Sequence, residues 1–136
     1  MIGAVIDDLK QSFAHIVCID DGSSDDSAEA ARAAGATVVV HPINLGQGAS
    51  LQTGFEFALS DPAMTEVVTF DADGQHQVSD AVSMIEKLHA DELDVVIGSR
   101  FLDDRTSMSR AKRSVLRAAA AYTRATSGME LTDAHN

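Results

Sequence analysis

The segment IVCIDDGSSDDSAEAARAAGATVVV, residues 16–40, encodes a strand, a helix and a second strand in succession. Ile16–Ile19 is a continuous apolar run of the length of a buried strand, and Thr37–Val40 is a β-branched run typical of another. The alanine-rich stretch between them predicts a helix over about 26–34, which Gly35 would end. Strands that are apolar throughout and joined by a helix are typical of a parallel sheet covered on both faces.

The alternation of strands and helices continues on both sides of this segment. Apolar residues at helical spacing predict an opening helix over about 2–13. The remaining predicted elements are helices over about 48–59, 78–89 and 110–126 and strands over Val67–Phe70 and Asp94–Ile97. We therefore predict an α/β fold with a mostly parallel sheet flanked by helices, in a single domain over residues 1–136.

The composition excludes several classes of protein. A formal net charge of −11 argues against a nucleic-acid partner, because proteins that bind nucleic acid need a basic surface. The lone Cys18 lies in a predicted strand, where we expect it to be buried rather than reactive. No apolar stretch reaches the roughly 18 residues of a membrane-spanning helix. The first residues lack the pattern of a secretion signal, so we expect a cytoplasmic location.

Three predicted strands end in polar sequence rather than in simple turns. These sequences are Asp20–Ser23, Asp71–Gln75 and Gly98–Arg100. Because ligands bind beyond the carboxyl ends of the strands in open α/β sheets, we expect the three sequences to meet at one edge. Together they supply oxygen ligands, backbone donors and a cation, which suits a ligand that carries phosphate.

Asp71 and Asp73 form the most informative pair. Two carboxylates two residues apart, on the turn that leaves a strand, can hold a hard cation such as Mg²⁺ or Mn²⁺, and Gln75 adds a neutral oxygen. Asp-x-Asp is also common in solvated turns, so its position after a buried strand carries the inference. His76 follows, but hard cations prefer oxygen ligands, so we expect this histidine either to support the metal ligands from behind or to have a structural role.

The other polar segments each have two interpretations. Asp20 and Asp21 either begin the following helix or accept hydrogen bonds from a nucleobase or ribose, in which case Gly22 lets the backbone approach closely. Asn44–Gly48 is either a simple turn or a loop that brings a helix N-terminus to a phosphate. Arg100 is either a surface ion-pair partner or a phosphate contact.

Four segments in order resemble the motifs of family 2 glycosyltransferases, and within that family the chain is most similar to the branch that transfers mannose or glucose to polyprenyl phosphate. The segments are Ile19–Asp25, Asn44–Gly48, Phe70–His76 and Gly98–Phe101, and the resemblance covers about residues 2–136. It implies a GT-A fold and an enzyme that transfers a hexose, with inversion, from a nucleotide donor such as GDP-mannose or UDP-glucose. The acceptor implied for this branch is a polyprenyl phosphate.

The resemblance also implies roles for particular residues. Those that would contact the donor are Asp20, Asp21, Gly22, Gly46, Gly48, Asp71, Arg110 and Arg113. Those that would hold Mg²⁺ or Mn²⁺ are Asp71, Asp73 and Gln75, and those near the transfer step are Asp73, Arg100 and Asp133. A solvated helix face explains Arg110 and Arg113 nearly as well. The metal would neutralise charge on the departing nucleoside diphosphate, and an anionic lipid-phosphate acceptor would need little help from a general base.

The chain departs from the family pattern at both ends. Family members begin with an apolar strand and a Pro-Ala-Tyr-Asn-Glu-like loop, whereas this chain opens on the helix that follows and stops at Asn136. We therefore expect a partial domain without its first strand, weak donor binding, and self-association through an incomplete sheet. Two alternatives stay open, a nucleotidyltransferase that builds nucleotide sugars and a non-catalytic fragment that binds a nucleotide or a partner protein.

Overall fold

The computed structural model describes residues 1–74 and 76–98. Their elements, in chain order, are α1 (Ile2–Leu9), β1 (Val17–Asp20), α2 (Ser27–Ala33), β2 (Thr37–Val40), α3 (Gln47–Leu59) and α4 (Val78–Ala90). This order confirms the predicted α/β class, while the predicted helix over 110–126 lies outside the described residues. The chain divides into two compact units, Met1–Ile85 and Glu86–Asn136. The sequence predicts a single domain over residues 1–136, and this remains a prediction.

The two strands form a parallel pair, as the opening segment predicts. Val17 lies opposite Thr37 and Asp20 lies opposite Val40, and α2 makes the crossover between the strands. The backbone N–H of His41 donates to the carbonyl oxygen of Asp20 at 2.9 Å, so the pairing continues one bond past the ladder. The residues that follow β1 and β2 are therefore held side by side at one edge of the sheet.

The core of the first unit lies between α1, α2 and one face of the sheet. Ile6 of α1 is 1% exposed and packs with Ala31 of α2 and with Ala36. Cys18 of β1 and Val38 of β2 pack against this cluster from the sheet. Alanine on α2 lets the helix approach the strands closely, because a larger side chain would fill the space that Ile6 occupies.

The two faces of β1 contact different helices. Cys18 packs toward α1 and α2, whereas Ile19 meets α3, where a Cβ placed on Gly54 would lie 3.6 Å from the Cγ1 atom of Ile19. Consecutive strand residues point to opposite faces, so α3 covers the face opposite to α1 and α2. Burial, and then the charge of Asp20, raise the pKa of the Cys18 thiol. Cys18 is thus a neutral, half-buried packing residue, in agreement with the sequence.

Helix α1 is shorter than the predicted helix over 2–13. It ends at Leu9, after which the N–H groups of Gln11 and Ser12 donate to the carbonyl oxygens of Asp8 and Leu9 in tightened turns. Lys10 donates from Nζ to the Ala34 carbonyl at 2.9 Å, which satisfies a carbonyl at the end of α2.

Two predicted strands are not strands in the structure. In the first unit, the part of the chain that is described contains one sheet of two strands, β1 and β2, and Val67–Phe70 belongs to no ladder. In the second unit, Asp94–Ile97 is not a strand either. β-branched and apolar composition favours an extended chain, but a strand also needs a partner backbone.

A cleft of about 1110 Å³ is lined by apolar residues of α1, β1 and α3 and by Val67–Phe70.

Candidate functional site

Asp21 follows β1 directly, and its carboxylate is the centre of a hydrogen-bond cluster. Oδ1 accepts from the Nδ1 atom of His41 at 2.7 Å and from the Leu45 amide at 2.9 Å. Oδ2 accepts from the Gly46 amide at 2.7 Å. The side chain is 20% exposed, so it remains open to solvent or a ligand on one side. Asp21 therefore ties the end of β1 to the loop that begins α3.

His41 follows β2 and completes the cluster from the other strand. His41 is 7% exposed, and its Nε2 atom lies 2.9 Å from the Oγ1 atom of Thr53 on α3. His41 and Thr53 were not among the residues predicted from the sequence. The sequence does contain a signal for His41, because His41 immediately follows β2 just as Asp21 immediately follows β1. This signal can be recognised only when the register of the two strands is known.

Hydrogen bonding sets the charge of Asp21. The bond from His41 is the main reason that the pKa of the Asp21 carboxyl lies below its ordinary value, and the Leu45 and Gly46 amides lower it further against a smaller opposing effect of burial. Asp21 is therefore an anion at neutral pH and acts as a hydrogen-bond acceptor only.

Gly22 allows the loop after β1 to touch the loop after β2. Its φ is +74°, and a Cβ there would lie 2.7 Å from the Ile43 carbonyl carbon and 2.8 Å from the Asn44 nitrogen. These distances are too short for any side chain. The close approach expected at Gly22 is thus made to the protein's own backbone.

Asp20 and Asp25 shape the loop between β1 and α2. Asp20 is 7% exposed, and its Oδ1 accepts from the Ser23 amide at 3.3 Å. Asp25 accepts from the Ser27 amide at 3.1 Å, and bonding to Ser27 lowers the pKa of the Asp25 carboxyl. The carboxylates of this part of the loop therefore stabilise the start of α2, because they accept hydrogen bonds from an amide of the turn and from the amide of the first helical residue.

Helix α3 begins with an open N-terminus. Gly46 precedes it with φ 92° and ψ 162° and supplies no side-chain cap. A Cβ on Gly46 or on Gly48 would meet nothing within 4 Å, so space lies beside both glycines. An uncapped helix N-terminus with accessible backbone suits an anion.

The Asp71–Gly74 turn follows Phe70 and is held by His76. The Asp71 amide donates to the His76 Nδ1 atom at 3.2 Å, and the ring of Phe70 meets the His76 ring edge-on at a centroid distance of 5.4 Å. Nδ1 is thus an acceptor, and the histidine supports the turn as expected. Asp71 is half-buried, Asp73 is exposed, and Gly74 has φ +81°.

One cleft brings two of the predicted segments together. Asp71 and Ala72 line the same cleft as Gln47 and Ser50 of the first turn of α3, and Ile19 of β1 lines it as well. The carboxyl end of β1, the start of α3 and the Asp-x-Asp turn therefore face a common space.

Several predicted site residues lie outside the described residues. They are Gln75, Arg100, Arg110, Arg113 and Asp133. Among residues 1–74 and 76–98, no three His, Cys, Asp or Glu side chains are grouped closely enough to hold a metal ion by themselves. Mg²⁺ is commonly bound by one or two carboxylates together with substrate phosphates, so the carboxylates of Asp71 and Asp73 fit that cation by their chemistry. No helix in this same part of the chain is long and apolar enough to cross a membrane.

Comparison with known proteins assigns the family. Residues 1–134 match the family described as glycosyl transferase family 2. An uncharacterised protein of Methanocaldococcus jannaschii is 38% identical over 104 residues, which are 76% of this chain and 42% of that protein. The glycosyltransferase AglJ of Haloferax volcanii is 37% identical over 114 residues, 82% of this chain and 36% of AglJ. No solved structure matches.

A third relative is an undecaprenyl-phosphate 4-deoxy-4-formamido-L-arabinose transferase of Klebsiella pneumoniae. It is 37% identical over 105 residues, 73% of this chain and 30% of that enzyme. The chain belongs to glycosyl transferase family 2. This confirms the predicted transferase class, and the α/β structure agrees with the GT-A fold. The chain spans less than half the length of these three relatives.

Proposed function

We propose that this domain binds a nucleotide-diphosphate sugar with Mg²⁺ or Mn²⁺ and transfers the hexose with inversion to a polyprenyl phosphate. The observation that supports it is the shared cleft, in which Asp71 lies with Gln47 and Ser50 of the α3 N-terminus. A carboxylate that shares a metal with a diphosphate, and a helix dipole that faces it, are complementary parts of one site.

The metal side of the site consists of Asp71 and Asp73, with Gln75 as a third oxygen ligand. A cation held by these residues would stabilise the negative charge of the leaving nucleoside diphosphate. Arg100, Arg110 and Arg113 would supply cations to the phosphate groups, and Asp133 would take part in the transfer step. These last assignments follow from the family resemblance.

The nucleotide side of the site consists of the two loops that Asp21 joins. Asp21 and Asp20 accept hydrogen bonds from the base or ribose, with Gly22 in the same loop. Gly46 and Gly48 leave room for the diphosphate beside the start of α3, because a Cβ at either position meets nothing within 4 Å.

The donor and acceptor follow from the branch that the sequence resembles. GDP-mannose and UDP-glucose are the donors proposed, and a polyprenyl phosphate is the acceptor. The Klebsiella pneumoniae relative, whose name specifies an undecaprenyl phosphate, supports a lipid-phosphate acceptor. Such an acceptor would bring a cytoplasmic enzyme to the inner face of a membrane without a spanning helix in the described part of this chain.

Calorimetry with UDP-glucose and GDP-mannose, each with and without Mn²⁺, tests the proposal. We expect binding of one of them to need the metal and to be lost in Asp73→Ala. Asp8→Ala is the matched control, because Asp8 is an exposed carboxylate on α1. Absence of metal-dependent binding to the unmodified protein would refute the proposal. Product analysis separates the alternatives, since transfer releases a nucleoside diphosphate whereas a nucleotidyltransferase releases pyrophosphate.

A further inference from the structure

We infer that His41, supported by Thr53, is a positioning residue that fixes Asp21 and the Leu45–Gly46 backbone for donor binding; this rests on the proposed function. His41 does not need to touch the donor to do so. Its ring lies between the end of β1 and the body of α3, 2.7 Å from Asp21 on one side and 2.9 Å from Thr53 on the other.

The hydrogen bonds fix the tautomer of His41. The Asp21 carboxylate can only accept, so the Nδ1 atom of His41 carries a proton. In the neutral ring Nε2 then accepts from the Thr53 hydroxyl, and in the charged ring Nε2 donates to it. Because a hydroxyl serves in either direction, Thr53 holds the ring in place in both charge states.

His41 also determines how much of Asp21 is left for a ligand. A carboxylate offers about four acceptor positions. His41 and Leu45 use those of Oδ1, and Gly46 uses one of Oδ2, so one position on Oδ2 remains. Asp21 held in this way suits a single donor from the nucleotide, such as one imide N–H or one ribose hydroxyl.

The same cluster connects the nucleotide side to the metal side. Gly46 both donates to Asp21 and immediately precedes α3, whose first turn lines the cleft with Asp71. A displaced Asp21 would therefore release the start of α3. Loss of His41 should weaken donor binding even though the metal ligands are unchanged.

The test compares His41→Phe, His41→Asn, Thr53→Val and Thr53→Ser with the unmodified protein. Asn keeps an N–H donor near the position of Nδ1, and Ser keeps the hydroxyl. His89→Phe is the matched control, because His89 is an exposed residue of α4. The first readout is hydrogen exchange at the Leu45 and Gly46 amides by NMR. The second is the Kd for UDP and for GDP with Mn²⁺.

We expect His41→Phe to speed exchange at both amides and to raise the nucleotide Kd about 10-fold or more, as loss of a hydrogen bond to a charged group does. Thr53→Val should have a smaller effect in the same direction. His41→Asn and Thr53→Ser should retain most of the protection and of the affinity, and His89→Phe should change neither.

Each outcome decides the inference. Unchanged amide exchange in His41→Phe overturns it, and faster exchange with unchanged nucleotide affinity reduces His41 to a structural residue and overturns the link to the donor. If His41→Phe does not fold, the comparison of Thr53→Val with Thr53→Ser gives the answer by the same two readouts. If the unmodified protein binds neither UDP nor GDP, the proposed function fails, and amide exchange alone still decides whether His41 positions Asp21.

Discussion

At the scale of residues, Asp21 makes the stability of the protein depend on pH. Hydrogen bonds from His41 first, and from Leu45 and Gly46, lower the pKa of its carboxyl in the folded protein. As the pH falls, the unfolded chain binds this proton first, at its ordinary pKa of about 3.9. The stabilisation is therefore fully present above about pH 4 and is lost as the pH falls through the lower folded value.

Urea unfolding between pH 7 and pH 3 measures this contribution. We expect Asp21→Asn to lower the free energy of unfolding at pH 7, and the difference from the unmodified protein to shrink below about pH 4. A difference that stays constant down to pH 3 would contradict the assignment of the carboxylate to this cluster.

Sequence reasoning at this scale identified one half of the cluster. Asp21 and Gly22 stand in a polar loop after an apolar run, which is a local signal. His41 and Thr53 become visible only when the register of β1 against β2 and the packing of α3 are known. Those are relations between residues 12 and 20 positions apart, so no local pattern contains them.

At the scale of elements, two helix ends differ in the residue that takes the left-handed conformation. Gly35 follows α2 with φ +91°, whereas Glu92 follows α4 with φ 51°. Glycine adopts this conformation at no steric cost, but a residue with a Cβ loses about 1–2 kcal/mol.

Two substitutions test this difference. Gly35→Ala should lower the free energy of unfolding by about 1 kcal/mol, and Glu92→Gly should raise it by about 0.5 kcal/mol after glycine's greater loss of entropy is subtracted. Urea unfolding of the two variants beside the unmodified protein gives both values. The same sign for both variants would contradict the argument.

Helices and strands differ in how well the sequence predicts them. The predicted helices over 26–34, 48–59 and 78–89 agree with α2, α3 and α4 to within a residue or so, because their hydrogen bonds are local. Val67–Phe70 has the composition of a strand but lacks a ladder, because pairing depends on a second backbone distant in the chain.

At the scale of the whole molecule, the sheet predicts self-association. β1 pairs with β2 on one side, and in the described part of the chain no strand pairs with its other side. Val67 and Val68, which line the same cleft as β1, are 43% and 38% exposed. An unpaired strand edge together with exposed apolar side chains can recruit a second chain.

Light scattering over a range of concentrations tests this expectation. We expect the mass to rise with concentration, and Val68→Lys to suppress the rise, because lysine beside a strand edge blocks pairing. Val95→Lys is the control, since Val95 is 67% exposed and lies in the second compact unit. A mass equal to one chain at every concentration would contradict self-association.

The family of the protein was easier to predict from the sequence than the pairing of its strands. The Asp71–Asp73 motif and three further polar segments follow one another in a fixed order along the chain, and this order can be read directly from the sequence. The family assignment confirms the transferase class that this order predicted. The donor, acceptor and metal depend on how side chains meet in space, and they stay proposals.

The register of the parallel pair also bears on how the chain folds. Each residue of β1 pairs with a partner 20 positions later, from Val17 with Thr37 to Asp20 with Val40. Closing a segment of that length costs little chain entropy compared with pairing across a whole domain. The described sheet can therefore close within one short stretch of chain, and its closure brings Asp21 and His41, the residues that follow the two strands, to the same edge.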